Sequence, residues 1–238
     1  MPWPHIQLSA DPAAFPAHPP ADLSDPAVIA AHDQAAFDAV ETMVDHWDRP
    51  GWTAQTRAYY WMLTFPDSPA LADLALRCQQ HLAPLGLDPV PDDGLHITLT
   101  RVSSAAALPL SRLDDVISAA APLLPAAFRL RAVPLAGSRG AVRLTVAPWG
   151  PVLALHLALS ESMASLGLAP RKPTALFRPH LSLAYNNRPR PAGPVVEAVT
   201  ALRGLPSVEL HVREVQLVEL RREDRSYRWD VVKSLPLG

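Results

Sequence analysis

Two short stretches of this chain repeat one pattern: residues 94–100, GLHITLT, and residues 178–184, RPHLSLA, each setting a histidine two residues before a hydroxyl inside an apolar run. In a β-strand, side chains alternate between faces. His96, Thr98 and Thr100 would then share one face, with Leu95, Ile97 and Leu99 on the other. In the second copy Arg178, His180 and Ser182 point one way, and Leu181 and Leu183 the other. By the same parity Tyr185 faces away from His180 unless a bulge intervenes. His96 and His180 lie 84 residues apart. This unit at that separation predicts an internally duplicated fold whose halves meet at a shared site.

The elements around the two stretches alternate between helical and strand periodicity. A strand is expected over 59–65, then helices over about 69–83 and 109–121. A hairpin is expected from 128–133 and 141–146 around the Gly137 to Gly140 turn. An apolar helix over 150–167, a short helix near 193–203 and two long strands over 207–221 and 227–233 complete the reading. Hairpins argue for antiparallel sheets, so the fold class is α+β. Upstream, residues 1–24 are rich in Pro, Ala and Asp and read as an extended arm. Asp25 is an N-cap and Pro26 a first helical residue for an acidic helix within 25–49, whose apolar positions run through Phe37, Val40, Met43 and Trp47. The domain proper is expected over 57–238.

Charge is distributed unevenly although the net formal charge is only −2. Residues 1–50 hold eight acids against Arg49, a net of −7, which leaves +5 for the remainder. Between Val116 and Val196 the only acid is Glu161, against nine basic residues. Clustered arginine favours an anionic ligand, because guanidinium offers long-range attraction and bidentate phosphate contacts. The acidic segment is expected either to cover part of such a groove or to pack far from it. No apolar run reaches the length of a membrane span, and the first residues carry prolines and acids rather than a secretory leader, so the expected location is cytoplasmic. The single cysteine, Cys78, shares a helical face with Leu71, Leu74 and Leu82 and reads as core.

Two histidines and two hydroxyls match what is needed to open a cyclic phosphodiester with water. One imidazole takes the water proton, the other protonates the departing alkoxide, and hydroxyls donate to phosphoryl oxygens. An imidazole titrating near 6.5 can serve as either partner. No His-x-His, His-Glu-x-x-His or Cys-x-x-Cys occurs, so no metal site is expected. His5, His18, His32, His46, His81, His156 and His211 are set aside as non-catalytic.

The two strands, the opening segment 59–65 (YYWMLTF) and a closing strand pair ending in 227–232 (YRWDVV) resemble the two-histidine (2H) phosphoesterases, the group of the 2′-5′ RNA ligases and RNA 2′,3′-cyclic phosphodiesterases. The resemblance spans about Tyr59 to Leu237. It implies two pseudo-symmetric lobes with antiparallel sheets flanking a central groove, helices outside, and catalytic His96 and His180 on the groove floor. It also implies that Thr98 and Ser182 bind phosphate. The family often places an aromatic or small apolar residue after the first motif and an arginine after the second. This chain has Arg101 and Tyr185 there, so both are candidate substrate contacts, with Arg178 the preferred cation by parity.

The activity implied is metal-independent opening of 2′,3′-cyclic phosphates of RNA ends or small nucleotides to 2′-phosphates, by a monomer without cofactor. The reverse 2′-5′ joining reaction without ATP is a further implication. Two alternatives stay open: a non-catalytic RNA-binding module of the same fold, and a hydrolase of a non-RNA small cyclic phosphoester.

Overall fold

A computed structural model describes residues 3, 4 and 6–238, so His5 lies outside the described residues. The strands are β1 (Thr42–Met43), β2 (Ala58–Thr64), β3 (Asp88–Pro89), β4 (His96–Ser104), β5 (Phe128–Ser138), β6 (Ala141–Ala147), β7 (Leu181–Tyr185), β8 (Arg190–Pro191), β9 (Val208–Val212), β10 (Glu214–Glu223) and β11 (Ser226–Pro236). The helices are α1 (Pro26–Asp38), α2 (Pro69–Leu82), α3 (Leu113–Ala120), α4 (Trp149–Ser165) and α5 (Gly193–Ala201). The architecture is α+β. A four-stranded sheet in the order β11-β10-β2-β4 forms one lobe, and a five-stranded sheet in the order β3-β7-β6-β5-β9 forms the other. Every pairing between strands is antiparallel.

The duplication is visible as strand, helix, histidine strand: β2-α2-β4 in the first half and β6-α4-β7 in the second. In each half the two strands are antiparallel neighbours and the helix leaves the sheet between them. These helices reach across the molecule. α2 packs with α5 near β7 and β9 of the second sheet, whereas α4 packs with α3 near β4 of the first. One continuous apolar core therefore runs through both lobes, with Trp61, Ile97, Leu144, Trp149, Leu181 and Leu217 fully buried in it. α4 is apolar on most of its circumference, as a helix surrounded by protein must be. β2 is buried along six of its seven residues, because a second cluster of Ala58, Tyr60, Met62, Val218 and Leu220 covers its other face.

Three elements differ from the sequence expectation. The acidic helix expected within 25–49 ends at Asp38. Asp25 caps it as expected, accepting from the Ala27 amide at 2.8 Å, but the backbone beyond Ala39 turns to the second sheet. Thr42 and Met43 pair with Pro191 and Arg190, and the Val44 and His46 amides donate to the Arg139 and Asn186 carbonyls. Tertiary pairing thus outweighs the helical spacing of Val40, Met43 and Trp47. The strand expected over 207–221 is two strands in different sheets, β9 and β10, divided at Arg213. Residues 1–24 were expected as an extended arm, but the chain turns back between Asp11 and Ala17, with Ala14, Pro16 and Pro20 buried, and the segment lies against the second lobe. Among the described residues no helix is long and apolar enough to cross a membrane.

Candidate active site

β4 starts at His96 after a tight turn over Asp92–Gly94, and β7 starts one residue after His180. In both places the imidazole folds back on the backbone just ahead of the strand. His96 Nδ1 lies 2.7 Å from the Gly94 carbonyl, and His180 Nδ1 lies 2.9 Å from the Arg178 carbonyl. A carbonyl only accepts, so Nδ1 carries the proton in each ring and Nε2 is left for chemistry. The two rings, with Thr98 and Ser182, line one cavity of about 590 Å³ between the sheets.

Strand parity changes within each motif. In the pairing of β2 with β4, Trp61 faces Thr100 and Met62 faces Thr98, so Leu99 is an extra residue. In the pairing of β6 with β7, Val142 faces Ala184 and Arg143 faces Ser182, so Leu183 is extra. A bulge of one residue reverses the alternation beyond it. Arg101 and Tyr185 therefore return to the groove and line the cavity. Thr100, expected on the face of His96, borders the cavity but is buried, with its hydroxyl unpartnered.

Arg178 has the expected parity, but its guanidinium is occupied. It donates to the carbonyls of Ser9 (2.6 Å), Pro16 (3.3 Å) and Phe177 (3.1 Å). It holds the N-terminal arm against the groove wall. The cation beside the second motif is Arg143, a member of the basic stretch between Val116 and Val196. It stands opposite Ser182 across the β6–β7 ladder, is 3% exposed, lines the cavity, and has an unpartnered Nε. A lone arginine inside the apolar run AVRLTVA was the available signal. Its nearest counter-charge is Asp33 of α1, whose carboxylate accepts from Thr145 at 2.8 Å and whose pKa burial raises.

His46, not expected at the site from the sequence, forms part of the groove wall. Its ring stacks on Tyr185 at 4.0 Å, its Nε2 lies 3.0 Å from the Tyr227 hydroxyl, and Arg49 donates to its Nδ1 at 3.3 Å. Both nitrogens are engaged, which makes it a wall rather than a proton carrier. Tyr60, Trp52 and Tyr227 add aromatic surface to the cavity.

Burial pushes the His180 pKa down to about 3, and the Arg143 charge works in the same direction. Burial also lowers the His96 pKa, opposed by its hydrogen bond to Gly94. Both shifts favour the neutral imidazole at neutral pH. A phosphodiester anion placed between them would raise both values. The ring with no guanidinium pressing on it, His96, would then protonate first. Among the described residues, no group of three or more His, Cys, Asp or Glu is placed to hold a metal ion.

Sheets, groove and paired motifs define a phosphoesterase of the two-histidine class, and the comparisons with known proteins agree. Residues 65–224 match the model of the 2′-5′ RNA ligase superfamily, and the chain belongs to that family. No curated protein matches the chain at the sequence level. Among solved structures, LigT of E. coli in complex with NADP+ aligns with a TM-score of 0.57 and 18% identity, covering 77% of this chain and 99% of that one. TT0787 of Thermus thermophilus aligns with a TM-score of 0.54 and 20% identity, covering 76% and 97%. LigT has also been solved with phosphate and with 3′-AMP.

Proposed function

We propose that this protein opens 2′,3′-cyclic phosphates, on RNA ends or nucleotides, to 2′-phosphates by histidine acid and base catalysis. The observation that carries this is the matched pair of imidazoles: each is fixed through Nδ1 to a backbone carbonyl two residues back, which leaves both Nε2 atoms to one cavity. His180 takes the proton of the attacking water, because burial, reinforced by the charge of Arg143 beside it, favours the neutral ring. His96 carries the proton delivered to the departing 3′-oxygen. Thr98 and Ser182 hydroxyls donate to the non-bridging oxygens, and Arg101 and Arg143 offset the charge that builds on them. The solved complexes of LigT with phosphate and 3′-AMP support a phosphorylated nucleotide as ligand.

The test is incubation with adenosine 2′,3′-cyclic monophosphate in the presence of a chelator. Formation of adenosine 2′-monophosphate is expected, since both proton-transfer groups are side chains. A 3′-monophosphate product, or activity that returns only when a divalent metal is added, contradicts the reading.

A further inference from the structure

Residues 9–17 lie outside the stretch that matches the family, yet Ala13, Ala14 and Phe15 form one end of the cavity. They are fixed there at several points. Arg178 holds the Ser9 and Pro16 carbonyls, and Arg143 donates to the Phe15 carbonyl at 3.2 Å with its guanidinium carbon 5.2 Å from the centre of the Phe15 ring. Lys172, which also lines the cavity, pairs with Asp11 at 3.7 Å. The Ser9 amide donates to the Ala175 carbonyl at 2.9 Å, and the Asp11 amide closes the turn on the Ala17 carbonyl at 2.8 Å.

Cations spaced along a groove are what hold successive phosphates of a nucleic-acid strand. Here Arg178, Lys172 and part of Arg143 are occupied by the arm instead. At the Tyr185 end, His46 joins the lobes by stacking on Tyr185 of β7 and meeting Tyr227 of β11. The cavity of about 590 Å³ between these walls lies within the ~300–1,000 Å³ of small-molecule sites.

We propose that the N-terminal segment converts an open groove into a blind pocket that admits a nucleotide-sized cyclic phosphate and excludes an oligonucleotide strand, with Phe15 and Asp11 setting that limit. The inference rests on the phosphodiesterase reading above and names the substrate class within it.

The experiment compares kcat/KM for adenosine 2′,3′-cyclic monophosphate with that for an octaribonucleotide ending in the same cyclic phosphate. For the unaltered chain the mononucleotide is favoured about tenfold or more, and the double variant Asp11→Lys, Phe15→Ala narrows the ratio by about fivefold or more. Asp11→Lys alone, a milder change that removes the Lys172 pair and the hydrogen bond from the Ala13 amide, shifts the ratio the same way and covers the case of a double variant that does not fold. Equal kcat/KM on the two substrates overturns the size limit while leaving the functional reading in place. A preference that neither variant alters overturns the role of the arm. If neither substrate turns over, the functional reading fails, and titration calorimetry with adenosine 2′-monophosphate against the octamer carrying a 2′-phosphate decides the size limit by binding. Equal affinities there overturn it, and tighter binding of the mononucleotide upholds it.

Discussion

Arg101 and Tyr185 stand at the same step of the two motifs, three residues past the hydroxyl, and each is turned into the groove by a bulge at the leucine between them. The backbone is thus two-fold where the side chains are not. One lobe presents a guanidinium at this step and the other a phenol stacked on His46. On the proposed function, unlike ends would hold a substrate in one orientation and give the two histidines different partners across the scissile bond.

Arg101→Ala should raise KM for a cyclic mononucleotide about tenfold with a smaller effect on kcat, since a cation that steadies phosphate charge before the reaction acts mainly on binding. Steady-state kinetics check this. A variant with unchanged KM would show that the guanidinium does not reach the substrate.

His96→Ala and His180→Ala should each lower kcat by about 10²–10⁴. Their rescue should differ. A cyclic or aryl phosphodiester whose leaving group needs no proton should recover turnover in His96→Ala and not in His180→Ala. Rescue of the opposite variant would exchange the two roles.

Folding should weaken in mild acid. His156 is fully buried between Thr174 and the Phe177 ring, and burial pushes its pKa down to about 4 from 6.5. His180 is lowered to about 3. The unfolded chain binds more protons than the folded one between these values and 6.5, so stability is full above pH 6.5 and falls as pH drops toward 4. Between pH 7 and 5 each such histidine costs at most about 2 kcal/mol. Urea midpoints at the two pH values measure the loss, and His156→Gln should reduce the difference. An unaltered difference in that variant would assign the acid sensitivity to other groups.

Gly137→Ala should destabilise the fold by about 1–3 kcal/mol, as overfilling a packed core does. A Cβ at this position of β5 would stand 2.5 Å from Cε2 of Phe37, which is fully buried where α1 crosses the sheet. Thermal or urea unfolding reads the change. A neutral result would mean that α1 shifts on the sheet at little cost.

Strands that alternate cleanly were legible because period-two hydrophobicity reports burial directly: β2, β4 and the β5–β6 hairpin fall within a few residues of their expected places. The two histidines were legible because one rare unit occurs twice. What the sequence hid depends on partners far along the chain. Val40, Met43 and Trp47 keep a helical spacing, yet the backbone there answers to β8 and Asn186. At Arg213 and Glu214 two successive polar residues shift the phase of the alternation, the only local trace of the point where the chain changes sheets. The bulges at Leu99 and Leu183 leave no trace, since an extra apolar residue in an apolar strand looks like its neighbours. His46 enters the groove through Tyr185 and Tyr227, residues more than 130 positions downstream.

The strand order has a mechanical consequence. Followed from β2 to β11, the chain visits the first sheet, the second at β3, the first at β4, the second at β5, β6, β7 and β9, and the first again at β10 and β11. No single cut releases a whole lobe. Two halves sewn together by four crossings, with α2 and α4 lodged across the seam, are not joined by a single segment that could serve as a hinge. The gap between the imidazoles is then a property of the weave, set when the chain folds, and catalysis would proceed in a vice of fixed width rather than between closing jaws.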